Sequence, residues 1–200
     1  MPFFASFIIF IILVSYEISK SRKNSRKIRQ TYWDRENAAN STRRKPLDNL
    51  NYITIPFDSL PMDTLKDNSQ IMEYHETLHH LADAPIVNFT GLSNTDLKLE
   101  YGAPNIDLLT RYDQSYTTLV RTLQQWAKQL YDAGHIREAE QILEFSMSTG
   151  TDVSSSYRLL ANIYAAEGKN DKIAELMEQA QTLKSASRNI IVRILQEFGQ

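Results

Sequence analysis

The sequence predicts an all-α chain: a membrane-spanning helix at one end and a domain of paired helices at the other. Three observations carry this. Residues 115–198 repeat themselves at a spacing of 34, the apolar positions inside the repeat follow a helical stripe, and residues 2–16 contain no charge. A period of this size signifies stacked units, each with an apolar face that it cannot bury alone.

When residues 118–151 are set above 152–185, the landmark positions coincide. Leu123 falls on Tyr157, Trp126 on Leu160, Ala127 on Ala161, Leu130 on Tyr164 and Gly134 on Gly168. Past the glycines, Ala139 falls on Ile173, Leu143 on Met177 and Ser146 on Ala180. A third copy begins at Arg188, with Ile191, Ile194, Leu195 and Phe198 in the matching places. Leu119, Leu123, Trp126, Ala127 and Leu130 lie on one helical stripe, as do Leu160, Ile163 and Tyr164. Ala127 and Ala161 let paired helices approach closely. Gly134 and Gly168 supply the positive φ that ends a helix at low steric cost.

These residues resemble the tetratricopeptide repeat, as two degenerate repeats and a capping helix over about residues 114–198. The resemblance implies a first helix pair at about 114–133 and 136–148, a second at 155–166 and 171–185, and a closing helix at 188–198. The chain departs from the family pattern in three places. Trp126 occupies a leucine slot, Ile173 an alanine slot, and no proline closes either unit. The family's implied task is that of an adaptor, whose first helices line a surface holding a peptide or partner helix. The groove candidates are then Arg121, Gln124, Lys128 and Tyr131 from the first unit and Arg158, Asn162 and Ala165 from the second. The Arg158/Asn162 pair resembles the basic-plus-asparagine pair with which some members hold a partner's terminal carboxylate. In the first unit Gln124 and Lys128 stand in a different order.

From its start, the chain reads as four segments. Residues 1–18 are the expected anchor; the uncharged run is close to the ~17–25 residues a spanning helix needs. Lys20, Arg22, Lys23, Arg26, Lys27 and Arg29 follow it, which places the remainder in the cytoplasm. A cleaved signal would carry its basic residues before the apolar run. Residues 19–45 form a basic juxtamembrane stalk, helical to about residue 40 and broken over 40–46. Residues 17–45 hold ten Lys or Arg against three acids, whereas 46–119 hold three against eleven. The basic run is read first as a topology signal. Nucleic acid is not expected as a partner, because basic and aromatic residues are not interleaved on a folded face.

Residues 46–113 lead into the repeats. The stretch 47–65 has strand-like character at Tyr52, Ile53, Ile55 and Phe57, while Pro56 and Pro61 oppose a central strand. It is expected to lie along the helical domain and bury its apolar residues there. A helix is expected over 67–82. Residues 92–104 fit either a helix or a strand. Asn88-Phe89-Thr90 is formally a glycosylation sequon.

His75-Glu76-Thr77-Leu78-His79 satisfies H-E-x-x-H on that predicted helix, a spacing that in zinc peptidases sets two imidazoles and a general base together. On this reading His75 and His79 are ligands, Glu76 is the base and Glu100 or Asp96 a third ligand. Against it, Glu73 is charged where such helices are apolar, Glu76 points away from the apolar stripe, and no Met-turn or further histidine motif follows. Incidental histidines are the expected reading, with no metal and no cofactor. Phosphate-binding glycine loops and G-x-S-x-G are absent, and a chain without cysteine has no disulfide or thiolate chemistry. The expectation is a membrane-anchored interaction protein with a protein or acidic peptide partner and no catalytic activity. A zinc metallopeptidase and a purely structural subunit of a membrane complex are the alternatives.

Overall fold

The computed structural model describes residues 2–198, with side chains there except those of 2–6, 8, 9, 11, 12 and 24. The regular structure of the described residues is helical, with no strand. The helices are α1 (Pro2–Asn40), α2 (Ser69–Ala82), α3 (Asn94–Tyr101), α4 (Ile106–Asp132), α5 (Ile136–Ser148), α6 (Ser154–Ala166), α7 (Asn170–Thr182) and α8 (Arg188–Gln196). The chain forms two compact units, Met1–Pro46 with Ser93–Ile106, and Leu47–Leu92 with Asp107–Gln200.

In the first unit, α1 runs unbroken because residues 3–45 contain neither proline nor glycine. Among the described residues no helix is long and apolar enough to cross a membrane. The span expected over 1–18 falls largely on residues whose side chains lie outside the description. The helix ends at Asn40, where the break was expected, and its last turns hold α3. Arg35 donates to Asp96 at 2.5 Å, Thr95 donates to Glu36, and Lys98 donates to Asn40 at 2.8 Å. Residues 92–104, open between helix and strand, take the helix because of their start. The Ser93 hydroxyl accepts from the Asp96 N–H, and the Asp96 carboxylate accepts from the Ser93 N–H, a complete capping box. Asn105, 1% exposed, donates to the carbonyls of Lys45 and Tyr101 and accepts from Arg44. Beside it Gly102 has φ +96°, and a Cβ there would stand 2.3 Å from the Arg43 carbonyl oxygen.

In the second unit, residues 47–65 form no strand. One antiparallel bridge joins Tyr52 to Val87, and Pro56 and Pro61 prevent a ladder from growing. The segment does bury apolar residues as expected: Ile55 and Leu60 enter the core, and Ile53, Phe57, Met62 and Leu65 pack against it. Helix α2 starts two residues later than expected, because Asn68 is its cap and accepts from the N–H groups of Gln70 and Ile71. Helix α4 starts eight residues before the expected 114, since nothing between Ile106 and Asp132 breaks it. Helix α5 has the expected bounds and α6 starts one residue early. Helix α7 stops short of the expected 185, because Leu183 leaves the helix at φ −59°, ψ 135°.

The 34-residue register is written in the backbone. Gly134 has φ +86° and Gly168 φ +72°. Each ends its helix with the same bond pair: Gly134 to Tyr131 and His135 to Leu130, then Gly168 to Ala165 and Lys169 to Tyr164. This is the Schellman pattern, which satisfies two carbonyls that a helix end leaves orphaned. The residues after the glycines match as well, His135 at φ −84°, ψ 66° and Lys169 at φ −81°, ψ 60°. Apart from Met177 and Phe198, which are half-buried, the aligned side chains are buried, with Trp126, Ala127 and Leu130 at 0% exposure.

The turn between α5 and α6 is buried and still satisfied. Tyr116 and Tyr157 donate to the carbonyls of Thr149 and Thr151, at 3.3 and 3.1 Å. Asn88 Nδ2 reaches Tyr116 Oη and the carbonyls of Thr149 and Gly150, at 2.9 to 3.0 Å. The sequon nitrogen is therefore fully engaged in the folded domain. Burial drives the Tyr116 hydroxyl well above its usual range and pushes Tyr157 up to about 12.

Nothing lies within 4 Å of a Cβ added at Gly134 or Gly168, so the strain there is purely conformational. Gly134→Val or Gly168→Val should lower stability by about 1–3 kcal/mol in urea unfolding. Gly102→Ala should be more damaging than Gly134→Ala, because it adds a collision with backbone to the same strain. An equal or reversed order would contradict the close approach at Arg43.

Candidate functional site

The candidate groove residues sit on α4 and α6, turned away from the core except for Tyr131, which packs against it. Arg121, Lys128, Arg158, Asn162 and Ala165 are exposed, while Gln124 and Tyr131 are half-buried. They turn outward because the opposite face of each helix is spent on the core: Leu123, Trp126, Ala127 and Leu130 in α4, Leu160, Ala161 and Tyr164 in α6.

The structure distributes these seven residues rather than gathering them. Gln124 and Lys128 line a hollow of about 370 Å³ with Gln125, Gln129 and Asp132 of α4 and Gln70 and Tyr74 of α2. Arg121 lines a second hollow, of about 390 Å³, with the Phe89–Leu92 loop, Asp113, Tyr116 and Asp152. Burial raises the Asp113 carboxyl, offset by a bond from the Phe89 N–H at 3.4 Å. Tyr131, Asn162 and Ala165 line neither hollow.

The cations differ in how they are held. Lys128 pairs with Asp132 at 2.5 Å, one helical turn on, and Arg158 pairs with Glu197 at 3.1 Å, beyond the end of α8. Both pairs are about half exposed, a setting in which an ion pair contributes roughly 0–1 kcal/mol. Arg121 has no ion-pair partner among the described residues.

The first hollow was only half legible in the sequence. The run Gln124-Gln125 and Gln129 signalled an amide-rich helix face. Nothing signalled Gln70 and Tyr74, which arrive from α2. That helix sends Ile71 and Leu78 into the shared core and meets α4 where His75 lies against Trp126, and Gln129 donates to Asn68 at 3.3 Å. Part of the acidic stretch 46–119 thus lies against one edge of the candidate face, through amide and apolar contacts.

The H-E-x-x-H residues are engaged elsewhere. His75 is half-buried and meets the Trp126 ring edge-on, with centroids 4.8 Å apart. His79 stacks on Phe57 at 4.4 Å with the rings nearly parallel. Glu76 is exposed. Asp96, a candidate third ligand, is taken up by Ser93 and Arg35, which hold its carboxyl below the usual carboxylate range, Ser93 foremost. Glu100, the other candidate, lies on α3. Among the described residues no group of three or more His, Cys, Asp or Glu could hold a metal ion. The partial burial of His75 on Trp126 was not expected of a surface histidine. Its place four residues after Ile71 and three before Leu78 sets it beside the apolar stripe, and that spacing is the signal that pointed there.

Comparison with family models, curated proteins and solved structures finds no match to this chain. The functional reading therefore rests on the residues and geometry above.

The His75 pocket has a consequence for stability against pH. Its Nε2 is buried without a hydrogen-bond partner, so a protonated ring would leave a charged donor unsatisfied. Burial first, and the charge of His79 second, lower its pKa below the ordinary value of 6.5. The folded state then binds fewer protons than the unfolded state, and stability falls as pH drops below about 6.5. His75→Phe keeps a ring against Trp126 and removes the titrating group. Unfolding curves from pH 8 to pH 5 should show a shallower loss in this variant than in the wild type (~1.4 kcal/mol per pH unit is the ceiling for one proton). Parallel curves would rule out a depressed His75.

Proposed function

We propose that this chain is a membrane-anchored interaction module with no catalytic activity of its own. A single helix over residues 1–18 holds it in a bilayer and residues 19–45 lead away as a stalk. A tetratricopeptide-like pair of hairpins then offers a carboxylate-seeking face to an acidic peptide or protein segment in the cytoplasm. The observation that carries this reading is how the cations of that face are occupied. Lys128 and Arg158 each hold one of the chain's own carboxylates in an exposed, weak pair, and Arg121 holds none among the described residues. A partner's carboxylates can replace Asp132 and Glu197 at small cost, and a charge-assisted bond is roughly twice as strong as a neutral one.

The amide-lined hollow adds the second element. Gln70, Gln124, Gln125 and Gln129 can each donate and accept, which is the chemistry of a peptide backbone. The repeated turns at Gly134 and Gly168 support the family reading, since they give both hairpins one geometry at the family's 34-residue period. The anchor is supported by the uncharged run and by the six cations after it.

Binding of this kind is weak and salt-dependent. Arg158→Ala with Asn162→Ala, in a protein shown to be folded, should reduce partner capture from detergent extract several-fold at low salt. Moderate salt should weaken wild-type capture in the same way. Unchanged capture would make this face ordinary surface and leave a structural-subunit role. A reporter fused after Gln200 should occupy the cytoplasmic side of the membrane; an external reporter, or a soluble and shortened chain, would reject the anchor.

A further inference from the structure

Because α1 is one continuous helix from the apolar run through the basic run, its charges have a fixed arrangement around the axis. At ~100° per residue, Lys20, Arg22, Lys23, Arg26, Lys27 and Arg29 fall within one half of the circumference. The other half of the same stretch carries Ser21, Ser25 and Ile28, with no charge. All six cations are exposed, and none makes a side-chain hydrogen bond or ion pair with a described residue. A topology signal requires positive charge after the apolar run; it does not require that charge to lie on one side.

Building on the anchor proposed above, we infer that the basic half of α1 binds anionic lipid headgroups and so leans towards the bilayer on that side. The heights agree. Lys20 follows the apolar run and Arg29 stands ~14 Å further along the axis. The headgroup layer is ~5–8 Å deep on each side. Lys20, Arg22 and Lys23 lie within it. Arg26, Lys27 and Arg29 stand just above it, within a Debye length of ~8 Å. Spanning helices lean by ~20° on average, and a lean towards the charged half brings Arg26 and Lys27 closer to the surface. Anionic headgroups are favoured over nucleic acid because the apolar run on the same helix sets the cations at that depth.

The chain has no cysteine, so one introduced thiol is a unique label site. Gln30→Cys lies in the middle of the basic half; Ile28→Cys, nearly opposite, differs in height by only ~3 Å. Both positions are exposed. Each full-length variant carries a fluorophore in phosphatidylcholine nanodiscs with and without phosphatidylserine, and quenching by neutral acrylamide is measured. The Gln30 label should be shielded about twofold when phosphatidylserine is present at low salt, and the Ile28 label should not. Shielding should vanish in Arg26→Gln/Lys27→Gln/Arg29→Gln and at high salt. Equal quenching at the two sites in both lipids overturns the inference, as does shielding of Gln30 only on addition of an oligonucleotide. Failure to enter even neutral discs removes the anchor and this inference together, whereas entry without sidedness removes this inference alone.

Discussion

A chain that folds helices back on one another must bury the turns between them, and a buried turn exposes carbonyls to a medium that cannot solvate them. In the helical domain that burden is greatest at Thr149–Thr151, where Thr149 and Thr151 are both buried. Three side chains from three separate parts of the chain meet it: Tyr116 from α4, Tyr157 from α6 and Asn88 from the loop before α3. Each unpaired group there would cost about 1–3 kcal/mol, so the three elements are fixed to one another by the same requirement. The loop's place against α4 follows from it, and with that place the walls of the Arg121 hollow. Gly91 tightens the arrangement, since a Cβ there would stand 2.8 Å from that of Lys184.

The turns at Gly134 and Gly168 solve the same problem differently. They lie where there is room, and they satisfy the helix ends from within the backbone. Such turns are insensitive to what packs around them, which is why two units of quite different sequence keep one geometry. Their consequence reaches the candidate face, because both hairpins then set the outward sides of α4 and α6 by the same rule. What those sides carry is free to vary. Here it is cations, of which Lys128 and Arg158 stand in exposed pairs with local carboxylates, beside a cluster of amides.

The first unit shows polar side chains replacing a hydrophobic core. Asn105 uses both amide hydrogens and its oxygen to join α3 to residues 44–45, and Gly102 permits backbone to approach backbone. This is specific geometry built with little apolar burial, and a single added methyl group opposes it.

Local chemistry determined the helical class, the 34-residue register, the two glycine turns and the helix over residues 136–148. Periodicity and capping act within one or two turns of the chain and need no distant partner. The outward direction of Arg121, Lys128 and Arg158 was legible for the same reason, since helical spacing sets it against the apolar stripe. Residues 92–104 fit either a helix or a strand, and the Ser93 capping box settles them as α3; tertiary structure alone decided that α1 clasps this helix. Only the fold could show that Gln70 and Tyr74 complete the amide hollow, that Glu197 holds Arg158, and that His75 leans on Trp126. Each of these joins residues tens of positions apart, and such a meeting depends on how whole helices pack; no local pattern encodes it.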